Sequence, residues 1–265
     1  MSSTNGTSKR MPALFLGHGN PMHAIQDDAF SHRLREIADK IPRPKSILCI
    51  SAHWLTEGTW VTRMKNPRTI HDFSGFPQAL FDVQYPAEGS PELADRVRAQ
   101  LQEAGVQSDE SNWGLDHGTW SVLRHIYPKA DIAVVQLSVD VQMAAEYHYH
   151  LGTLLRPLRN EGILVIGSGN LVHNLRLADF NPGAKPFPWA IKFDAWVKAR
   201  IEERDFNTIV KNAQKSDIGK LSIPTPDHWF PLLYVLGISE KEDSLRFEYE
   251  RIENSSVSMR CLSFS

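Results

Sequence analysis

The chain has 265 residues, with 29 Lys and Arg against 31 Asp and Glu and a formal net charge of −2, so it lacks the basic excess of a general nucleic-acid or anionic-membrane binder. Hydrophobic residues are 42% and charged residues 23%, the balance of an ordinary soluble globular protein. The 2 Cys, Cys49 and Cys261, form no C-x-x-C pair, which removes zinc ribbons and thiol redox motifs and leaves the 11 His as the donors for any bound metal. Residues 1–10 are polar with no apolar core, and read as a disordered tail and not a secretory signal. Residues 11–265 are expected to form one catalytic domain. Pro12–Gly17 reads as a buried strand, Ala24–Lys40 as an amphipathic helix and Ser46–Ser51 as a second strand. A helix over Pro91–Ala104 can end at Gly105, and a short helix covers Gly118–Ile126. Strands at Asp131–Leu137 and Gly162–Ile166 alternate with helices at Ala144–Arg159 and Trp189–Arg204. The stretch Asn181–Pro188 reads as a long active-site loop. Arg246–Phe264 alternates apolar and polar residues, as antiparallel edge strands do. Continuous apolar strands alternating with helices give the α/β class, with a largely parallel central sheet flanked by helices. No apolar stretch reaches the ~18 residues of a bilayer span, and cytoplasmic is the expected location.

Ligands of a parallel α/β sheet gather at the carboxyl ends of its strands. His18 follows PALFLG, His53 follows SILCIS, and His173 lies just beyond GILVI. His117 stands in the loop before the short helix, within L-D-H-G-T-W. A single strand-end His is commonly a hydrogen-bonded structural residue; several on one edge of a sheet point to a metal or acid–base site assembled by the fold. Gly17 and Gly19 leave the backbone free to turn around His18, and Gly167 and Gly169 do so ahead of His173. G-S-G-N lacks the third glycine of a dinucleotide loop, and no G-x-S-x-G elbow is present. His228, in P-T-P-D-H-W-F-P, is expected near a helix N-terminus, where the dipole favours the neutral ring that a metal requires. His71, which precedes Phe73 and Phe76 in T-I-H-D-F-S-G-F-P, is expected to line an aromatic substrate pocket with them. His23 is placed behind the site at best. His32, His125, His148 and His150 are expected on solvated helix faces.

A site with several imidazoles and no evident carboxylate ligand suits Fe(II), Zn(II) or Cu, and supports either hydrolysis by metal-activated water or activation of O2. Spacing alone does not choose. The ordered blocks G-H-G-N-P-M, S-A-H-W, T-I-H-D-F-S-G-F-P, W-G-L-D-H-G-T-W, G-S-G-N-L-V-H-N-L and P-T-P-D-H-W-F-P-L-L-Y-V-L-G resemble the LigB-type class III extradiol ring-cleavage dioxygenases, most closely the single-chain DOPA 4,5-dioxygenase branch. The resemblance implies one non-haem Fe(II), with Zn(II) as an alternative occupant, and a small catechol and O2 as the reacting partners. It implies His18, His53 and His228 as metal ligands, with His228 where the wider family carries a glutamate. It assigns His173 as acid–base and leaves its direct ligation open, and it makes His117 a catalytic histidine that contacts substrate or dioxygen. A zinc-dependent hydrolase on the same scaffold and a non-catalytic metal-binding protein are the competing readings. The physiological catechol and the oligomeric state are left open.

Overall fold

The computed structural model describes residues 10–265; the expected tail lies outside them except at Arg10, whose guanidinium pairs with Glu240 and Asp243. Ten strands follow in chain order: β1 (Ala13–Gly17), β2 (Ser46–Thr56), β3 (Trp60–Thr62), β4 (Gln107–Asp109), β5 (Ala133–Asp140), β6 (Ile163–Gly169), β7 (Leu245–Tyr249), β8 (Ile252–Glu253), β9 (Val257–Ser258) and β10 (Cys261–Phe264). Eight of them form one sheet in the order β4-β3-β5-β2-β6-β1-β10-β7. The four central strands β5, β2, β6 and β1 are mutually parallel. They are the four continuous apolar runs of the sequence, and β1 and β6 are buried at every residue. That is the pattern of strands covered on both faces.

The covering helices are α1 (Ala29–Lys40), α2 (Gln78–Phe81), α3 (Pro91–Gln100), α4 (His117–Ile126), α5 (Ala145–Leu155), α6 (Pro157–Asn160), α7 (Pro188–Glu202), α8 (Phe206–Asn212), α9 (Asp217–Ser222) and α10 (Phe230–Ile238). One face of the sheet packs against α1 and α4 through Phe30, Leu34, Trp120 and Leu123. The other packs against α5, α7 and α10 through Leu151, Leu155, Phe193, Leu233 and Leu236. α10 is apolar all round and buried along its whole length, so it is a core helix and not an amphipathic one.

Several expectations shift in detail. The helix expected over Ala24–Lys40 begins at Ala29, because Asp28 caps it: the Ser31 N–H donates to Asp28 Oδ1, and the Ser31 hydroxyl accepts from the Asp28 N–H. The preceding Pro21–Ala24 is a separate 3₁₀ turn capped by Asn20. Strands β3 and β4, three residues each, are too short for an alternation to show. The expected C-terminal edge strands are only half at an edge. β7 is the outermost strand, whereas β10 is inserted antiparallel between β1 and β7. No helix among the described residues is long and apolar enough to cross a membrane.

Candidate metal centre and active-site cavity

The carboxyl ends of three adjacent strands, β2, β6 and β1, build the site. His18 follows the last residue of β1. His53 lies in β2, within the stretch where the ladder to β5 shifts register between Ile50 and Leu55; such irregularities re-aim a side chain at a sheet rim. His173 lies beyond β6 and is tied to Val257 of β9 by an isolated antiparallel bridge. His117 opens α4, whose cap is Asp116. That buried carboxylate accepts from the Thr119 N–H, the Ser51 hydroxyl and the Gln136 amide, so β2, β5 and the start of α4 are fastened at one point. His228 stands just ahead of α10, which carries Pro231 in its first turn. Its position depends on Gly169: a Cβ there would lie 2.2 Å from the His228 carbonyl oxygen, so only glycine lets the His228 segment lie on the end of β6. Gly19 adopts φ +58 as the chain leaves His18, the left-handed turn that the glycines around it suggested.

All five expected site histidines converge. Ring centroids are 4.9 Å apart for His18 and His53, 5.2 Å for His18 and His228, and 5.0 Å for His53 and His228. His117 lies 3.9 Å from His53, and His173 stacks on His228 at 3.5 Å with an 11° interplanar angle. The Nδ1 atoms are held from behind. The Ser168 hydroxyl donates its one proton to the Gly118 carbonyl at 2.5 Å, so it can only accept from His18 Nδ1–H at 3.0 Å. His228 Nδ1 is bonded to the carboxylate of Asp227. Asp72 Oδ2 faces His117 Nδ1 at 2.8 Å and His53 Nδ1 at 3.3 Å, while Asp72 Oδ1 accepts from the His117 N–H. With protons at Nδ1, the Nε2 lone pairs of His18 and His53 face each other at 3.0 Å. His173 makes no side-chain hydrogen bond among the described residues.

Burial dominates the electrostatics. It lowers the pKa of His18 and of His53, and the neighbouring imidazoles lower both further, His228 leading for His18 and His117 for His53. Burial and then His228 push His173 down to about 2. Burial alone would raise Asp72, but its bonds to His117 hold it below the ordinary carboxylate value. Asp227 is likewise lowered against its burial by His228. His18, His53 and His173 are therefore neutral imidazoles, and Asp72 and Asp227 ionised carboxylates.

The histidines form the floor of a cavity of about 290 Å³, walled by Phe73, Phe76, Leu175 and Phe180. This is near the lower end of small-molecule sites and suits a single aromatic ring. A larger hollow of about 480 Å³, lined by Phe193, Trp196 and Ile218 between α7, α8 and α9, holds none of the histidines. Phe73 and Phe76 lie where the sequence placed them, but His71 does not. It sits behind Phe73, with ring centroids 5.8 Å apart, and spends Nε2 on the Val83 carbonyl. Four residues escaped the sequence reading: Asp72, which follows His71 in the same block, Ser168, and the cavity-lining Phe180 and Glu253. Phe180 is 64% exposed and immediately precedes the Asn181–Pro188 stretch expected to be an active-site loop.

Residues 11–259 match the family described as the catalytic LigB subunit of aromatic ring-opening dioxygenases. The chain belongs to the LigB family. It is 46% identical to the 4,5-DOPA dioxygenase extradiol of Escherichia coli K12 over 96% of its length and 94% of that protein. It is 40% identical to the enzyme of the same name from Beta vulgaris, over 84% of this chain and 85% of that one. The crystal structure of an uncharacterised Escherichia coli K12 protein superposes with a TM-score of 0.85 at 41% identity, covering 97% of this chain and 100% of that one. By this membership the protein is an extradiol ring-cleaving dioxygenase, and LigB dioxygenases of this kind are metal-dependent.

The residues present fit a metal. Two inward Nε2 lone pairs 3.0 Å apart repel unless a cation lies between them. With metal–nitrogen bonds of about 2.1 Å, two nitrogens at that separation can both reach one ion. The carboxylate or hydroxyl behind each Nδ1 is the outer-shell arrangement that fixes the tautomer of metal-binding histidines. The carboxylate behind His228 is that of Asp227.

Proposed function

We propose that the protein is an Fe(II)-dependent extradiol dioxygenase that opens the ring of DOPA or a related catechol, with His18, His53 and His228 as the metal ligands. The convergence of their rings, with each Nδ1 turned onto Ser168, Asp72 or Asp227, carries this reading. When bound, Fe(II) would supply a Lewis acid for the catechol oxygens and a site for O2. His117 is the base that takes a catechol proton: its Nδ1–H is held by Asp72, which stabilises the imidazolium that forms. His173, kept neutral by burial and with no side-chain hydrogen bond among the described residues, moves a proton at a later stage or adds a fourth nitrogen to the metal. Phe73, Phe76 and Phe180 sandwich the ring and exclude water from the histidine floor. The relatives named for DOPA 4,5-cleavage support the substrate class.

The test is anaerobic loading with Fe(II), addition of DOPA, and admission of air. Oxygen uptake with a yellow ring-opened product is expected, and Zn(II) loading should occupy the site without uptake. Absence of uptake over a panel of catechols with Fe(II) bound would overturn the reading, and ester or amide turnover supported by Zn(II) alone would replace it with a hydrolase.

A further inference from the structure

The cavity has an aromatic wall and a histidine floor, but one lining residue belongs to neither. Glu253 reaches it from the end of β8, just ahead of the turn to β9, and neither lysine nor arginine is among the lining residues. The turn is a fixed support. Asn254 and Ser255 both take the left-handed conformation, at φ 47 and φ 63, and their carbonyls accept from the N–H groups of Asp179 and Phe187. The two carboxylates nearest the floor, Asp72 and Asp227, are committed to histidines. Glu253 is only half committed. Its Oε2 bonds His23 Nε2 at 2.8 Å, while Oε1 has the Arg251 guanidinium at 3.7 Å, beyond hydrogen-bond distance and on a side chain 60% exposed. His23 also bonds Asp28 through Nδ1 at 2.8 Å, so one imidazolium is shared between two carboxylates, and the rest of their charge is met only by the Arg251 guanidinium on its largely exposed side chain. Asp28 is occupied on its other oxygen by the Ser31 N–H at the start of α1. The carboxylate with open lone pairs is therefore that of Glu253, which lines the cavity.

We propose that Glu253 is a specificity-determining residue that selects catechols whose side chain carries an ammonium group over catechols whose only side-chain charge is a carboxylate. This inference rests on the ring-cleavage reading and adds to it the class of substituent the cavity recognises. An ammonium at the rim finds an acceptor for a charge-assisted hydrogen bond in the Glu253 carboxylate, while a lone carboxylate meets a like charge with no cation among the lining residues to pair it.

The experiment compares kcat/KM for dopamine, 4-methylcatechol and 3,4-dihydroxyphenylacetate in the Fe(II)-loaded wild type, Glu253→Gln and Glu253→Lys. The wild type should favour the amine over the acid. Glu253→Gln should shrink the amine-to-acid ratio by about ten- to a hundredfold, chiefly through KM, and Glu253→Lys should invert it. A wild type without preference, or a ratio that Glu253→Gln leaves unchanged, overturns the proposal. Calorimetric titration of wild-type protein under argon with tyramine and with 4-hydroxyphenylacetate reads the same preference with no variant and no turnover. Tighter binding of tyramine is expected, and equal binding counts against Glu253. Failure of all three catechols to react would sink the ring-cleavage reading while leaving that titration to decide on Glu253.

Discussion

Asp72 faces two imidazoles at once, one expected on the metal and one beside the substrate. Replacing it with Asn removes the charge and one acceptor but keeps the shape. Asp72→Asn should weaken metal binding by about 10- to 100-fold, measured by chelator competition, and should slow turnover further because the His117 imidazolium loses its counter-charge. The convergence of the five histidines was legible because each falls at a strand end or helix start within a distinctive block; Asp72 and Ser168 were not weighed as supports because their roles exist only when distant segments meet, whereas Asp227 supports its own sequence neighbour His228. His148 and His125 show the same limit from the other side. Both were expected in solvent, yet His148 is fully buried, stacked on Phe230 at 3.9 Å and bonded to the Tyr234 hydroxyl, and His125 bonds the His23 carbonyl. Only His32 and His150 lie on the surface, against Asp27 and Glu103. Burial lowers the His148 pKa to about 4, so the unfolded chain takes up this proton first as pH falls. Its contribution is complete above about pH 6.5 and is lost on the way down to about 4, which costs about 2 kcal/mol between pH 7 and pH 5. In His148→Phe the stability difference between those two pH values, read by urea unfolding, should be smaller by that amount.

At the scale of elements, the site depends on how closely two of them approach. The end of β6 and the segment leading into α10 touch backbone to backbone at Gly169 and His228. Gly169→Ala forces a shift against a carbonyl, not against a flexible side chain. A loss of about 1–3 kcal/mol in unfolding free energy is expected, together with a larger loss of metal content than the stability change explains, because His228 moves with its backbone. Metal analysis beside thermal unfolding separates the two effects; full metal retention with lowered stability would show that His228 is positioned by other contacts. The four parallel strands and most helices could be read from the sequence because apolar runs and helical periodicity are local. The three-residue strands β3 and β4 are too short to carry a period, and they depend on β5 for a partner. The break between the Pro21–Ala24 turn and α1 was missed because the Asp28–Ser31 cap lacks the Glu or Gln that marks the commoner capping box.

Across the whole molecule, a buried ion pair ties the far end of the sheet together. Arg159 is fully buried, bonds Asp243 through two nitrogens at 2.6 and 2.9 Å, and donates to the carbonyls of Met11 and Phe264. Asp243→Asn would strand a buried guanidinium and should cost about 3–5 kcal/mol of stability, measured by denaturant unfolding, with little change in the ratio of reactivity toward different catechols. Burial opposes ionisation of Asp243, but Arg159, the Glu240 N–H and Arg10 together hold the carboxyl below its ordinary range, so this contribution is present at neutral pH and fades as pH falls through the lowered value. The α/β class and the parallel core were readable in the sequence; the insertion of β10 beside β1 was not, because alternation marks a strand without saying which partner it will find. That insertion has a consequence for the order of assembly. β1, which delivers His18, is among the earliest parts of the sheet to be synthesised, yet one of its two neighbours is made only after every site histidine has been translated. Long-range pairing of this kind is slow to close, so the first histidine to emerge is the last to be braced, and the metal is best acquired by the finished fold and not by the growing chain.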